Sequence, residues 1–265
     1  MKFRFQRKYL SLPYILFFLL FVITPLFLIV FYAFTDKATG LPSFNNLVKF
    51  VSDSTNLNVL VISLTYGIIN TFFCLLIGYP IAYFLADKRI NKSAVMLTLF
   101  IMPMWINFVI RTGATRDLLN WLGISGGSYP ELATIIGLVY NYLPFTILPL
   151  YTTMLKMDRS QIEASKDLGA NSLQTFIKVI IPMTMPGIVS GATMVFMPTI
   201  SSYVISDILS EYNVVLFGSY IDLYFNQSDW NFGSFMALIM LLLILISVFI
   251  TRKFSSDDEG KESIW

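Results

Sequence analysis

The side chains that carry most enzymatic chemistry are scarce in this sequence. It has no histidine and a single cysteine, Cys74. A Ser–His or Cys–His nucleophile, an HExxH zinc site and a histidine proton relay are therefore excluded, as is a disulfide within the chain. An intramembrane aspartate enzyme would need a second aspartate facing Asp207, and that carboxylate stands alone. We therefore expect no catalytic residue, no metal site, no cofactor and no enzymatic activity.

One hydrophilic segment combines two helix starts with a glycine between them. Ser160 and Glu163 have the S-x-x-E spacing of a capping box, which predicts a short helix there. Gly169 can end that helix in the left-handed conformation that glycine tolerates. Asn171 or Ser172 can then cap a second helix. The spacing predicts a helix–glycine–helix elbow, which either lies on lipid or docks into another protein.

Long apolar stretches must position this elbow. The chain is 56% hydrophobic and 13% charged, whereas soluble domains are about 45–50% apolar and about 25% charged. Six stretches are each long enough to cross about 30 Å of hydrocarbon as a helix. They cover about 10–34, 58–86, 93–111, 132–155, 182–206 and 231–251, with the elbow at 157–181. The sequence therefore predicts an all-α integral membrane protein with six transmembrane helices in a single domain, 1–265.

The first apolar stretch follows four basic residues, as a secretory signal peptide would. Its apolar core is longer than the roughly 7–15 residues of a signal peptide, and no small-x-small cleavage site follows it. We therefore expect the first stretch to be a retained membrane helix.

The distribution of charge predicts how the chain is oriented in the membrane. Fourteen of the 18 lysines and arginines fall on the two termini and on the alternate loops that share their side. By the positive-inside rule, both termini are cytoplasmic and the protein is a multi-pass cell-membrane protein. The last outer loop, 207–231, has four carboxylates and no basic residue, which either attracts a cationic solute or only reflects this bias. We expect no charged residue near the middle of any span, which disfavours a proton-coupled carrier.

The elbow carries a recognisable motif. Glu163-Ala164-Ser165, three residues, Gly169, nine residues and then Val179-x-Ile181-Pro182 resembles the EAA loop of ABC-importer permeases. The resemblance implies a type I ABC-importer permease fold, whose elbow sits in a cleft of a separate ATPase subunit. By resemblance, Glu163, Ala164, Ser165 and Gly169 make or shape that contact. The chain has no G-x-x-x-x-G-K-[ST] phosphate loop of its own, so ATP must be hydrolysed by another subunit.

Further stretches are similar to the B permeases of spermidine/putrescine importers. They include Ile135-Ile-Gly-Leu-Val-Tyr140, Asp167-Leu-Gly-Ala170, Thr184-Met-Pro-Gly187 and Asp229-Trp230. The resemblance implies a polyamine substrate, an ATPase dimer, a second homologous permease, an extracytoplasmic solute-binding protein and surrounding lipid, with no nucleic acid. Related permeases import ferric iron, sulfate or phosphonates, so these solutes stay open, and a self-sufficient channel or secondary carrier is a further alternative.

A polyamine pathway should offer carboxylates and aromatic faces to ammonium groups. Tyr203, Ser206 and Asp207, at the outer end of the fifth stretch, match a similar segment of the B permeases. Asp207 is a functional candidate because carboxylates beside the membrane are costly, although its place near the interface weakens that argument. Trp105 and Asn107 match a Pro-Phe-Trp-Thr-Asn stretch of the family, and Trp105 could instead belong to an interfacial tryptophan belt.

Overall fold

The structure is a computed structural model that describes residues 12–37, 39–87 and 93–262. Its first helices are α1 (Leu12–Phe18, a π-helical turn at Leu19–Ile23, then Thr24–Ala33), α2 (Asn45–Ser52), α3 (Ser54–Leu85), α4 (Ser93–Ile101) and α5 (Phe108–Trp121). They are followed by α6 (Pro130–Leu155), α7 (Arg159–Asp167), α8 (Ser172–Thr175, a π-helical turn at Phe176–Ile180, then Ile181–Ile200), α9 (Val204–Leu209), α10 (Phe217–Asn226) and α11 (Trp230–Glu262). The all-α prediction is confirmed over the described residues.

Five helical segments in the described ranges are long and apolar enough to cross a membrane. They are Pro13–Ala33, Ser54–Leu85, Pro130–Leu155, Ser172–Ile200 and Trp230–Thr251. A sixth candidate is a pair of helices, Val95–Trp105 and Phe108–Trp121, which meet at an angle of 98°. The structure therefore has the six spans predicted from the sequence if this bent pair crosses the membrane as one span. The exact span limits and the side on which the termini lie stay predictions.

The third segment bends because one helix ends and another begins within a few residues. A 3₁₀ turn with a proline in its first turn, Met102–Trp105, closes α4, and Ile106 then adopts an extended backbone. The Asn107 side chain caps the next helix by accepting the backbone N–H groups of Val109 and Ile110, at 3.0 and 3.3 Å. Such caps satisfy amides that a helix start leaves unpaired. The predicted span at 93–111 is thus broken at residues 102–107.

The chain forms two compact units. The first comprises Met1–Leu57 and Tyr220–Leu243, and the second comprises Asn58–Ser219 and Ile244–Trp265. The second unit contains the elbow, the bent segment and the Asp207 region. The first unit contains α1, α2, most of α10 and the beginning of α11.

Close packing of α6 against α8 forms the centre of the second unit. A Cβ atom at Gly187 would lie 2.7 Å from the Thr153 hydroxyl oxygen and 3.1 Å from the carbonyl oxygen of Pro149. One turn further along, a Cβ at Gly191 would lie 3.4 Å from Thr146. Small residues let membrane helices approach closely in this way. The two glycines therefore fix the spacing of the helices that flank the elbow.

In the first unit, polar and aromatic contacts join the end of α1, α2 and the beginning of α11. The Asn46 amide donates to the carbonyl oxygen of Ala33 at 2.9 Å, and the Asn231 amide donates to that of Thr35 at 2.8 Å. The buried ring of Phe50 lies 6.0 Å from that of Phe235. These contacts place α2 beside the first turns of α11.

Candidate functional site

The elbow begins with a cap at Asp158. Its carboxylate accepts the backbone N–H of Ser160 at 2.9 Å and the Ser160 hydroxyl at 2.8 Å. Both hydrogen bonds favour the charged form, so the backbone bond first and the hydroxyl second hold the pKa of Asp158 below its usual range. The predicted capping box of Ser160 and Glu163 is therefore wrong, because the cap lies two residues earlier and Ser160 is the donor.

Gly169 forms the turn of the elbow. Its φ of +84° is the left-handed conformation expected from the sequence, so that prediction is confirmed. The Gly169 N–H donates to the carbonyl oxygen of Lys166 at 2.9 Å, and the Ala170 N–H donates to that of Ser165 at 3.1 Å. These two bonds satisfy carbonyl groups that the end of α7 would otherwise leave unpaired.

A reciprocal capping box starts the second arm of the elbow. The Asn171 side chain accepts the Gln174 N–H at 2.8 Å, and the Gln174 side chain accepts the Asn171 N–H at 3.1 Å. Of the two caps that the sequence allowed, Asn171 is the one used. The hydroxyl groups of Ser165 and Thr175 lie 3.0 Å apart and join the two arms. Ser165 thus stabilises the elbow from inside, since Thr175 is buried.

The solvent-exposed surface of the elbow is apolar beside the glycine turn. Glu163, Ala164 and Gly169 are exposed. The side chains beside the turn are also exposed, with Leu168 at 89% and Leu173 at 67%. Exposed leucines on such a turn form an apolar surface, and its burial by a binding partner is favourable.

An ion pair ties the elbow to the end of α3. The Arg159 guanidinium lies 3.1 Å from the carboxylate of Asp87. A cavity of about 240 Å³ lies beside this pair, lined among others by Tyr83, Met154 and Glu163. Both charged side chains are partly exposed, so the pair contributes little free energy. It nevertheless gives the first turn of α7 a preferred position.

The structure brings Ser206 and Asp207 together through a residue that the sequence did not single out. The Ser219 hydroxyl donates to the Asp207 carboxylate at 2.7 Å, and the Ser206 and Ser219 hydroxyl oxygens lie 3.3 Å apart. Ser206 is fully buried and donates to the carbonyl oxygen of Tyr203 at 2.9 Å. The Tyr203 ring is exposed. Ser219 could not be found from spacing, because it lies on another helix, α10.

Trp105 and Asn107 lie at the break between α4 and α5. The Trp105 side chain is 81% exposed. The side-chain oxygen of Asn107 is engaged by the N-terminal amides of α5, as described above. Asn107 therefore has a structural role that the sequence comparison did not suggest, and a role in a solute pathway stays a prediction for both residues.

Arg111 is a buried charged residue whose contacts sequence reasoning missed. It is only 8% exposed, and its guanidinium donates twice to the side-chain oxygen of Asn141, at 2.9 and 2.6 Å. A third bond runs to the carbonyl oxygen of Pro103 at 2.8 Å, and the Tyr140 ring lies 5.8 Å away. Asn141 is the twelfth of the 26 residues of α6. The guanidinium of Arg111, which the sequence places at the end of the third span, therefore lies beside the middle of α6.

The hydrogen bonds of Arg111 connect the two sides of the break in the bent segment. The 3₁₀ turn that contains Pro103 and the helix that contains Arg111 are on opposite sides of the break, and the guanidinium joins both to α6. A buried arginine is stable only where hydrogen bonds satisfy its donors. An available sequence signal was the lone amide of Asn141 inside an otherwise apolar stretch.

Membrane-crossing helices with a capped elbow between two of them define the chain as an integral membrane protein. Among the described residues, no group of three or more Asp, Glu, Cys or His side chains could hold a metal ion. Residues 1–257 match the family described as binding-protein-dependent transport system inner membrane component, and the chain belongs to that family. It is therefore a multi-pass inner-membrane permease subunit.

Curated relatives support this assignment. The spermidine/putrescine transport system permease protein PotB of Escherichia coli K12 is 36% identical over 252 residues, covering 86% of this chain and 91% of the relative. The protein of the same name from Haemophilus influenzae is 38% identical over 203 residues, 71% of each chain. A PotB homolog of Mycoplasma genitalium is 28% identical over 70% of each chain. The resemblance stated from the motifs is thereby confirmed.

Solved structures agree with the fold. A chain of a bacterial alginate ABC transporter, in complex with an alginate pentasaccharide-bound periplasmic protein, matches with a TM-score of 0.70 at 13% identity, covering 94% of this chain and 93% of that one. The inward-facing MetNI methionine ABC transporter matches with a TM-score of 0.57 at 19% identity, covering 75% and 93%. The type I ABC-importer permease fold expected from the elbow is confirmed.

Proposed function

We propose that this chain is one of two permease subunits of an ATP-driven polyamine importer. In this proposal an extracytoplasmic solute-binding protein delivers spermidine or putrescine to the outer face. A cytoplasmic ATPase dimer then closes and, through the elbow, moves this permease and a homologous partner from an outward-open to an inward-open state. Both termini and the elbow lie on the cytoplasmic side.

The elbow is the observation that carries the coupling part of the proposal. Its two arms are capped, hydrogen-bonded to each other and joined through a glycine turn, so it can transmit force as a rigid body. The exposed Leu168 at its tip fits an apolar cleft of a protein. The alternative of lying on lipid is disfavoured because acidic residues, Glu163 and Asp167, accompany the basic ones.

Two observations support a polyamine as the solute. Several relatives are named for spermidine and putrescine. In addition, the Asp207 carboxylate accepts a hydrogen bond from the Ser219 hydroxyl at 2.7 Å, which orients the carboxylate. A carboxylate held in this way, with the exposed Tyr203 ring in the same segment, can bind an ammonium group.

The substrate class can be tested on the reconstituted importer. We expect spermidine or putrescine, delivered by the cognate binding protein, to stimulate ATP hydrolysis several-fold in proteoliposomes. Ferric iron and sulfate should leave the hydrolysis rate at its basal level. Stimulation by one of these other solutes alone would contradict the polyamine proposal and retain the permease assignment.

The role of Asp207 can be separated from its structural contacts. Asp207→Asn keeps an oxygen that can accept from the Ser219 hydroxyl but removes the negative charge. We expect the KM for spermidine uptake to rise about tenfold, because an ammonium loses a charge-assisted hydrogen bond worth about 1.5–3 kcal/mol. Ser219→Ala is the matched control, since it removes the hydrogen bond and keeps the charge. A larger effect from the control than from Asp207→Asn would show that Asp207 is structural.

A further inference from the structure

A lysine ammonium group lies in a pocket of aromatic rings and carboxylate in the first unit. The Lys49 amine is 3.9 Å from the centre of the Phe232 ring and 5.1 Å from that of Tyr224. The same nitrogen lies 3.2 Å from the carboxylate of Asp229. We call Tyr224, Asp229 and Phe232 the ammonium cage. Two aromatic faces and a carboxylate are the groups that bind alkylammonium ions in proteins.

The cage is preformed by packing rather than by Lys49. Phe232 is fully buried, and its ring meets that of Tyr224 edge to face at 4.7 Å. Tyr224 in turn meets Tyr220 at 5.3 Å. The Asp229 backbone is held by its N–H, which donates to the carbonyl oxygen of Tyr224 at 3.0 Å. Removing the lysine side chain would therefore leave the rings and the carboxylate in place.

The cage has the electrostatics of a cation site. Burial, followed by the neighbouring Tyr220 and the carboxylates of Asp53 and Asp229, raises the pKa of Tyr224 to about 12, so the ring stays neutral at physiological pH. A second lysine, Lys37, places its amine 3.8 Å from the other oxygen of Asp229. Asp229 thus forms ion pairs with two ammonium groups of the chain, and it accepts a hydrogen bond from the Lys49 amine.

The lysines that reach the cage are held weakly. The Lys49 side chain is 47% exposed and that of Lys37 is 59% exposed. Ion pairs of such exposed side chains contribute little free energy because water solvates both partners well. An ammonium group from solution can therefore compete with them.

The occupant has the same chemistry as the proposed solute. A lysine side chain ends in four methylene groups and an ammonium, which is the aminobutyl arm shared by putrescine and spermidine. A pocket that accepts the Lys49 side chain therefore has the shape and charge to accept one end of a polyamine. The cage lies on segments that the charge distribution assigns to the outer face, where a solute would arrive.

We propose that the ammonium cage is a polyamine-binding site that Lys49 occupies when no solute is present. This proposal rests on the proposed function for the identity of the solute. A polyamine end binds by displacing Lys49, so the apparent affinity is reduced by the fraction of molecules in which the cage is filled. Such a built-in competitor lets the site accept solute from a binding protein and release it again.

The decisive variant is Lys49→Ala in the reconstituted importer. Because it empties the cage, the KM for spermidine should fall at least about threefold while kcat stays within about twofold. Lys37→Ala is the matched control, since it removes the more exposed lysine from the same carboxylate, and its effect should be smaller. An unchanged or raised KM in Lys49→Ala would overturn the proposal, because Lys49 would then be a structural contact only.

The aromatic wall is tested with a pair of variants at Tyr224. Tyr224→Leu removes one ring face and should raise the KM for spermidine about 2- to 30-fold, the range that a cation–π contact spans. Tyr224→Phe keeps the face and should change the KM less than twofold. Equal KM values for the two variants would also overturn the proposal.

Direct binding distinguishes a failure of the cage from a failure of the proposed function. Calorimetric titration of spermidine into the complex in nanodiscs should show tighter binding for Lys49→Ala than for Lys49→Ala combined with Tyr224→Leu. If this difference is found but the complex transports no polyamine, the cage stands and the proposed transport function fails. If the two variants bind spermidine equally, the cage fails whatever is transported.

Discussion

Replacing Gly169 with valine should abolish most solute uptake while ATP hydrolysis continues and the protein stays in the membrane. Gly169 adopts a φ of +84°, and a Cβ atom added there would meet no atom within 4 Å. The variant therefore acts on the backbone and not through a clash with neighbours. A left-handed conformation costs an L-residue about 1–2 kcal/mol, and a β-branched residue more. The turn will relax, and Leu168 will lose the orientation in which, by our proposal, it enters the cleft of the ATPase.

The matched control for this variant is Gly169→Asn. Asparagine adds a side chain of similar size but tolerates the left-handed region, so uptake should stay within about threefold of the wild type. ATP hydrolysis and spermidine uptake are measured in the same proteoliposomes, and their ratio reports coupling. If valine and asparagine give the same ratio, the left-handed turn has no role in coupling.

The elbow was largely predictable because its signals are local. The glycine and the second cap, Gly169 and Asn171, lie two residues apart, and both are confirmed by the structure. The error concerned the first cap, where Asp158 and Ser160 are both good capping residues two positions apart. Such a choice depends on where the preceding helix ends, which the spacing does not specify.

The third span was predicted less well because its geometry depends on a distant residue. Prolines are tolerated in membrane helices, so Pro103 alone did not predict a bend of 98°. Arg111 ends the predicted span at 93–111, so the sequence pattern places its charge beside a loop rather than inside the protein. Its partner, Asn141, is 30 residues further along the chain, and no local pattern connects the two.

The ammonium cage also combines residues that are too far apart in the chain for a sequence pattern to connect them. Sequence composition predicted an acidic outer loop, 207–231, which is where Tyr224 and Asp229 lie. The lysine that meets them, Lys49, is 180 residues from Asp229 in the chain. Composition can thus indicate that a loop suits cations, but only the fold shows which cation the loop already holds.

Replacing Arg111 with methionine should destabilise the bent segment more than any substitution on the surface of the elbow. The change removes three hydrogen bonds, two to Asn141 and one to Pro103. Hydrogen bonds to charged groups contribute about 1.5–3 kcal/mol each, and the freed oxygens become unpaired buried acceptors. We expect the free energy of unfolding to fall by about 3 kcal/mol, with a melting temperature lower by roughly 5–10 °C.

The single cysteine provides the measurement. Cys74 is fully buried, so a thiol-reactive fluorophore will label it only as the permease unfolds, and the labelling midpoint reports stability. Arg111→Lys keeps the charge but not the fork of donors, and it should recover part of the loss at most.

Substitution of Asn141, the hydrogen-bond partner of Arg111, gives a more direct test of this contact. Asn141→Leu leaves the guanidinium buried without its main acceptor, so it should cost more than Arg111→Met, because an unpaired buried charge is worse than an unpaired amide. Combining the two changes removes that charge, and the double variant should melt above Asn141→Leu alone. Additive losses would instead mean that Arg111 and Asn141 stabilise the protein independently. A higher melting temperature in the double variant would show that the charge of Arg111 couples the broken span to α6 energetically.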